Sequence, residues 1–190
     1  MELDKNDPKS VSATHPTTQT NQPLMTALFR AQRDAENAIQ ALEKRGYQKE
    51  DISVMMSDET RRRFAAESKS SPTVGAKMAE GATFGSVVGG AAGAILAGIL
   101  VVAAPIVIPG LGLLVAGPLV AALAGAGAGG LAGGLLGSLV AVGIPEAHAK
   151  VYELGIREGG VLITVQPRTA EDTVAIEADW TRCHAERARV

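Results

Sequence analysis

Residues 81–145 read GATFGSVVGGAAGAILAGILVVAAPIVIPGLGLLVAGPLVAALAGAGAGGLAGGLLGSLVAVGIP, a stretch without a single charged side chain. Thr83, Ser86 and Ser138 are its only polar side chains, and 17 of the chain's 22 glycines lie within it. All 18 basic and 20 acidic side chains lie in the rest of the 190-residue chain. The chain therefore combines a charged, domain-forming part with one interrupting segment, the apolar tract (residues 81–145).

The remaining composition excludes several classes of protein. A net charge of −2 gives no overall basic field for nucleic acid. A single cysteine excludes a disulfide framework and a cysteine-based zinc site, and fits a reducing compartment. Residues 1–23 are polar and carry three prolines, which predicts a disordered tail rather than a signal peptide.

The sequence before the tract predicts a strand, a helix and a second strand. Residues 24–29 form a short apolar run that suits a strand, and residues 51–56, Asp-Ile-Ser-Val-Met-Met, are typical of a second strand. Between them, apolar residues recur at helical spacing and the pattern stops at Gly46, although Arg30 and Ala31 are weak caps for the helix start. Two strands joined by a helix in this way are expected to run parallel. A charged connector, residues 58–80, follows, with a short helix predicted over 59–67.

The sequence after the tract predicts a helix, a strand and a second helix. Pro145 suits the start of a helix, and Gly159 and Gly160 suit its end. Residues 161–165, Val-Leu-Ile-Thr-Val, give the clearest strand of the chain. A last helix begins at Thr169. The residues predicted to face the core from these two helices are Ala147, Val151, Leu154, Val174, Ile176 and Trp180.

The fold class predicted from this order is α+β. The two halves, residues 24–57 and 146–190, form a small ferredoxin-like sandwich (β-α-β, insert, α-β-α) of three or four strands, because neither half can bury its faces alone. A fourth strand is missing from the pattern, so either the end of the chain supplies it or a partner pairs with the open edge. A glycine-rich apolar helical hairpin, within residues 81–145, interrupts the sandwich.

Two segments of the apolar tract are long enough to cross a bilayer as helices. Residues 83–104 and 119–142 are uncharged, and residues 105–118 between them contain three prolines. Glycine recurs every fourth residue in both segments, which predicts a close-packed antiparallel hairpin. The glycines assigned to helix packing are Gly85, Gly89, Gly93, Gly125, Gly129, Gly133 and Gly137.

The hairpin favours membrane association, either as two crossings or as a re-entrant loop. Basic residues flank the tract on both sides, which places the α+β domain at the cytoplasmic face of the membrane. Arg61, Arg62 and Arg63 are then candidates for contact with lipid headgroups, although such a run is usually only solvated. The alternative is a soluble assembly, with the apolar hairpins buried in the core of a homo-oligomer.

No set of residues in the sequence predicts catalysis, metal binding or a cofactor. Residues 125–130 match GxGxxG formally, but the four-residue glycine repeat explains them and no acidic residue follows at the required distance. His15, His148 and His184 are far apart in the sequence. Cys183 and His184 are adjacent on a predicted helix, where neighbouring residues do not face each other.

Five phrases together resemble the bacterial general stress protein family (heat-induced stress protein, YflT-like). They are TALF (26–29), DAENAIQALEKRGY (34–47), DISVMMSDETRRR (51–63), IPGLGLLVAGPLVAALAGAGAG (108–129) and GIPEAHAKVYELGIREGGVLITV (143–165). The resemblance implies a bacterial stress-response role and often a membrane location. It supplies no reaction and no catalytic residues.

Sequence and resemblance together predict a non-enzymatic stress-response protein. We expect membrane lipid and further copies of the same chain as partners, and no nucleic acid. A small-molecule-binding regulatory domain is a weaker alternative that rests on fold analogy alone.

Overall fold

The computed structural model describes residues 22–70, 95–96, 98–99, 105–108, 112–121, 134–141 and 143–189, and it confirms the α+β class. A short 3₁₀ helix, Lys49–Asp51, precedes the second strand. The strands are β1 Met25–Phe29, β2 Ile52–Ser57, β3 Ile106–Ile108, β4 Leu113–Ala116, β5 Val161–Val165 and β6 Glu186–Arg189. The helices are α1 Gln32–Lys44, α2 Asp58–Ser70, α3 Gly134–Ala141, α4 Glu146–Arg157 and α5 Ala170–Arg182.

The six strands form one antiparallel sheet in the order β3-β4-β2-β5-β1-β6. Strands β1 and β2 run in the same direction, as expected, but they do not pair, because β5 lies between them. Leu162 of β5 is opposite Leu28 on one side and Met55 on the other. The missing strand is β6, which the end of the chain supplies and which pairs with β1.

Helices cover both faces of this sheet. On the first face, α1 and α5 pack against alternate strand residues such as Phe29, Val54 and Ile163. On the second face, α3 and α4 pack against the intervening residues, among them Leu28 and Met55. Strands that are buried on both faces read as continuous apolar runs. This explains why 25–29 and 161–165 carry no polar alternation.

The ends of the helices follow the chemistry of their caps. Thr169 caps α5 as predicted, and its hydroxyl accepts a hydrogen bond from the Asp172 amide at 3.1 Å. Ala31 precedes α1 without any side-chain cap, whereas Gly46, with φ +81°, follows its last turn. Helix α2 is longer than the predicted 59–67 and runs through Ser70.

Part of the predicted core is wrong. Leu154 and Val174 are exposed, at 60% and 68% of their surface, and Ala147 is exposed as well. Helix α4 turns a different face to the sheet, with Ala149, Tyr152 and Ile156 buried. The error arises because α4 carries two apolar faces, and periodicity alone does not tell which of them is inside. The predictions for Ile176 and Trp180 are confirmed.

Candidate functional site

The middle of the apolar tract is part of the domain's sheet. Strands β3 and β4 pair with each other, and β4 pairs with β2 from Val54↔Ala116 to Ser57↔Leu113. The prediction that residues 105–118 only connect two helices is therefore wrong. Prolines and glycines frame this stretch, but the residues of β3 and β4 themselves are β-branched or aliphatic, which suits strands.

The exit from β4 is held by a close backbone approach. Gly117 has φ +89°, and a Cβ built on it would lie 2.3 Å from the Ile52 carbonyl oxygen. Two residues on, the Leu119 amide donates a hydrogen bond to the Ser53 hydroxyl at 3.1 Å. Only glycine fits this position, because any side chain would meet the β2 backbone. The tract therefore contacts β2 twice, through the pairing of β4 and through the residues that follow β4.

The described residues on either side of the β3–β4 pair lie on opposite faces of the sheet. Leu96 and Ile99, at 1% and 0% exposure, belong to the cluster under α1 and α5. Leu119, Leu135 and Leu139 belong to the cluster under α4. The sheet separates these parts of the two predicted hairpin arms.

Strand β4 is hydrogen-bonded to β2, and Leu119 and Leu139 pack in one cluster of the domain. Two membrane crossings and a re-entrant loop would both use residues outside the described ranges, so each stays a prediction. Within the described ranges, none of the helices has the length and apolarity that a bilayer crossing requires.

Most of the predicted glycine repeat lies outside the described residues, namely Gly85, Gly89, Gly93, Gly125, Gly129 and Gly133. Gly137 lies in α3 and is partly exposed. Helix α3 packs beside α4, and the buried Ser138 hydroxyl donates to the Leu135 carbonyl at 2.8 Å. The close packing of glycine faces therefore stays a prediction. Residues 125–130 also lie outside the described residues, so the interpretation of their GxGxxG pattern as part of the glycine repeat stays a prediction.

The arginine run has partners inside the domain. Arg61 and Arg62 both pair with Asp58, at 2.8 and 2.7 Å, and hydrogen bonding from Arg61 is the main reason that the pKa of Asp58 lies below its ordinary value. Arg63 donates to the Gly159 carbonyl at 3.4 Å and lies over the Phe64 ring. These contacts make the run part of the α2 surface. Contact with lipid headgroups stays a prediction.

A buried row of hydroxyl groups crosses the second face of the sheet, and sequence reasoning missed it. Thr26 and Thr164 are paired across β1 and β5, with their hydroxyl oxygens 3.2 Å apart, and Ser53 lies opposite Thr164 in β2. The Tyr152 hydroxyl donates to the Thr26 carbonyl at 3.0 Å, and Leu119 bonds to Ser53. The sequence signal that could have indicated this row is the single Ser or Thr inside each of the segments 24–29, 51–56 and 161–165. Its members bond to one another or to backbone, so the row holds α4 and the tract on the sheet.

Among the described residues, Cys183, His148 and His184 do not assemble into a reactive group. Cys183 is the residue that ends α5, and burial, reinforced by the negative charges of Asp34 and Asp179, raises the pKa of its thiol. His184 follows in a left-handed conformation, with φ +56°. His148 lies in α4, and His15 lies outside the described residues. In the described part of the chain, no three His, Cys, Asp or Glu side chains are placed to hold a metal ion.

An open cavity of about 290 Å³ lies beside the end of α1, with walls formed by Glu43, Tyr47, Gln48, Lys49 and Glu50. The Tyr47 hydroxyl is already engaged: it donates to Asp172 at 2.8 Å and accepts from the Arg168 amide at 3.1 Å. The Arg168 guanidinium also stacks over the Tyr47 ring, 4.0 Å from its centre. These contacts join the end of α1 to the start of α5. The charges around the cavity have both signs and define no ligand class.

Comparisons of the chain with family models, with curated proteins and with solved structures find no match. The sequence and the geometry therefore carry the functional argument. The feature that distinguishes this chain is an uncharged, glycine-rich tract fixed to an α+β domain at its sheet and on both of its faces.

Proposed function

We propose that the protein is a non-enzymatic component of the bacterial stress response that assembles copies of itself through its apolar tract. One observation supports the choice of protein surroundings for the tract: β4 joins the tract to the sheet, and further described parts of the tract are buried in both core clusters. The order β6-β1-β5-β2 supports a ferredoxin-like domain, to which the β3–β4 pair adds an edge.

The glycines of the tract require a closely packed neighbour. Interior glycines each destabilise an isolated helix by about 1 kcal/mol relative to alanine, so glycine-rich helices need a closely packed neighbour. Glycine and alanine also gain little from lipid, since burial contributes about 0.8 kcal/mol per methylene. The same small residues allow two backbones to approach closely. A second copy of the tract carries the same small residues and therefore allows the same close approach.

The assembly is tested with the purified full chain in detergent-free buffer. We expect sedimentation velocity to show an oligomer. Replacing Gly129 and Gly133 together by leucine should reduce it to smaller species, while Ala121→Leu, which adds bulk at an exposed position of the same tract, should not. The fluorescence of Trp180, buried in the core, reports whether each variant still folds. A wild-type chain that sediments only as a monomer would refute the proposal.

A second candidate is docking onto a membrane surface without crossing it. Ile106 and Val107 at the sheet edge are each 48% exposed, and the tract around them is uncharged. Flotation with anionic lipid vesicles separates the two functions. A monomer that floats with vesicles, and that stays with bacterial membranes through a carbonate wash, would favour docking.

The non-enzymatic part of the proposal has its own test. His148→Ala, His184→Ala and Cys183→Ala should each leave the stress survival of a complemented deletion strain unchanged at normal protein level. Whether survival depends on the tract is best tested with the Gly129 and Gly133 double variant. Deleting residues 119–142 would also remove buried core residues such as Leu119 and Leu139. Loss of survival in a histidine or cysteine variant that still folds and assembles would indicate chemistry.

A further inference from the structure

Helix α4 presents a second apolar face that points away from its own sheet. Ala147, Val151 and Leu154 follow each other at spacings of four and three residues, which places them on one side of the helix. Leu154 is 60% exposed, Ala147 is exposed and Val151 is partly buried. This outer face lies opposite the residues that anchor α4 in the core.

Four charged residues run along one flank of the outer face. They form two pairs within the helix, Glu146 with Lys150 at 2.7 Å and Glu153 with Arg157 at 2.8 Å. Their signs alternate along α4 as acid, base, acid, base. Read from the other end of the helix, the order becomes base, acid, base, acid. Each position of one helix therefore lies opposite the other charge in an antiparallel copy.

An antiparallel pair of identical helices uses this complementarity. When a two-fold axis relates the two copies, the same flank of each helix meets the other. Glu146 then lies opposite Arg157 of the second copy, and Lys150 lies opposite its Glu153. A contact centred on the outer face therefore sets four opposite-charge pairs beside an apolar strip, without a like-charge contact.

We propose that the outer face of α4 binds the α4 of a second copy in antiparallel orientation. The contact uses residues 146–157 only, so it stands apart from assembly through residues 81–145. A helix of twelve residues is about 18 Å long and gives an interface at the small end of specific contacts. Such a contact is weak alone and gains strength when another contact raises the local concentration.

A charge placed at the centre of the outer face tests the contact. Leu154→Glu in the full chain should weaken the α4-dependent association by about tenfold or more, because a carboxylate would be buried without a partner. The matched control is Val174→Glu on α5, since Val174 is also an exposed apolar residue, at 68%. It should leave the association unchanged. Sedimentation velocity over a concentration series measures both.

A charge exchange identifies the antiparallel orientation. Lys150→Glu alone and Glu153→Lys alone should each weaken the association, because each sets like charges against the second copy. The double variant should restore it. The pairs with Glu146 and with Arg157 within the helix remain broken in the double variant, but the attraction between positions 150 and 153 of one helix returns. Urea unfolding of each variant measures that intrahelical part, and rescue of association beyond it comes from the second copy.

Two results would overturn the proposal. The first is wild-type association by Leu154→Glu, and the second is a double charge variant that associates no better than its single variants. If the Leu154→Glu chain keeps native Trp180 fluorescence and its self-association but no longer floats with phosphatidylglycerol vesicles, the first result also assigns the face to lipid. The Gly129 and Gly133 double variant reports on tract assembly separately, so failure of one contact is distinguishable from failure of the other.

Discussion

Replacing Gly155 with alanine tests how closely α4 approaches the sheet. A Cβ built on Gly155 would lie 2.0 Å from one methyl carbon of Leu28 and 3.0 Å from the other. Leu28 lies in β1 and is fully buried, so its methyl groups can yield only by shifting against other core residues. Overpacking of this kind destabilises a core by about 1–3 kcal/mol.

The helix itself favours the substitution. Alanine is better than glycine in a helix interior by about 1 kcal/mol, which offsets part of the clash. We therefore expect Gly155→Ala to lower the free energy of unfolding by about 1–2 kcal/mol, taking the upper part of the overpacking range because 2.0 Å is a severe overlap. Comparing Lys150→Gly with Lys150→Ala, at an exposed site of the same helix, measures the helix contribution directly.

The sign of the effect should reverse when Leu28 is truncated. Leu28→Ala alone should cost about 2–5 kcal/mol, since it empties a fully buried site. In that background the new methyl of Gly155→Ala meets no Leu28 methyl, and it keeps the helix gain of about 1 kcal/mol. The pair should therefore show a coupling energy of about 2–3 kcal/mol.

Urea unfolding followed by Trp180 fluorescence measures all four members of this cycle, because Trp180 is buried in the core. An osmolyte can be added to every sample if the Leu28→Ala chain is only marginally folded. Additive effects of the two substitutions, or a stabilising Gly155→Ala in the otherwise native chain, would refute the close approach of α4 to β1.

Three further substitutions are expected to act at single, well-defined contacts. Gly117→Ala should destabilise the fold by about 2 kcal/mol or more in urea unfolding, because φ +89° and a 2.3 Å approach to the Ile52 carbonyl both oppose a side chain; an unchanged unfolding midpoint would contradict this. His184→Gly should raise the free energy of unfolding by about 1 kcal/mol, since His184 has φ +56° where glycine is unstrained, and a loss of stability would show that its side chain matters more. Asp58→Asn should remove a contribution to the free energy of unfolding that is present at pH values above the pKa of the unfolded carboxyl group. This contribution fades as pH falls through the lowered pKa of the folded state, so the stabilities of wild type and variant should converge in acid. A stability difference that grows toward low pH would reverse the assigned sign.

Much of the domain could be predicted because local chemistry and tertiary structure agree. Strand β5 has the predicted bounds, and the Thr169 cap and Gly46 stop mark helix ends that the structure confirms. These signals depend on a few neighbouring residues, so a single sequence carries them. The choice between the two apolar faces of α4 depends on which side meets the sheet, and local pattern does not contain that information.

The edge strands could not be located in the sequence for two different reasons, although the end of the chain was one of two expected sources of the fourth strand. Strand β6, Glu-Arg-Ala-Arg, has no apolar alternation, because an edge strand with charged side chains discourages pairing with other chains. Arg30 then ties β1 to this strand through Glu186 and to the end of α4 through Glu158. Strand β4 looked like a connection between membrane helices, because its apolar residues continue those of the tract. Only its pairing with β2 reveals the strand.

The central claim, that the apolar tract is built into the sheet, is tested most directly by a disulfide between β2 and β4. Cysteines at Val54 and Ala116, which are register partners, are placed in a Cys183→Ala chain expressed in cells. Oxidation followed by mass spectrometry of the digested protein should show the 54–116 bond within one chain, whereas the pair at Val54 and Val115, whose side chains point to opposite faces, should not form one. A tract that leaves the domain to cross a membrane predicts no 54–116 bond in membranes or in cytosol, and that result would contradict the account.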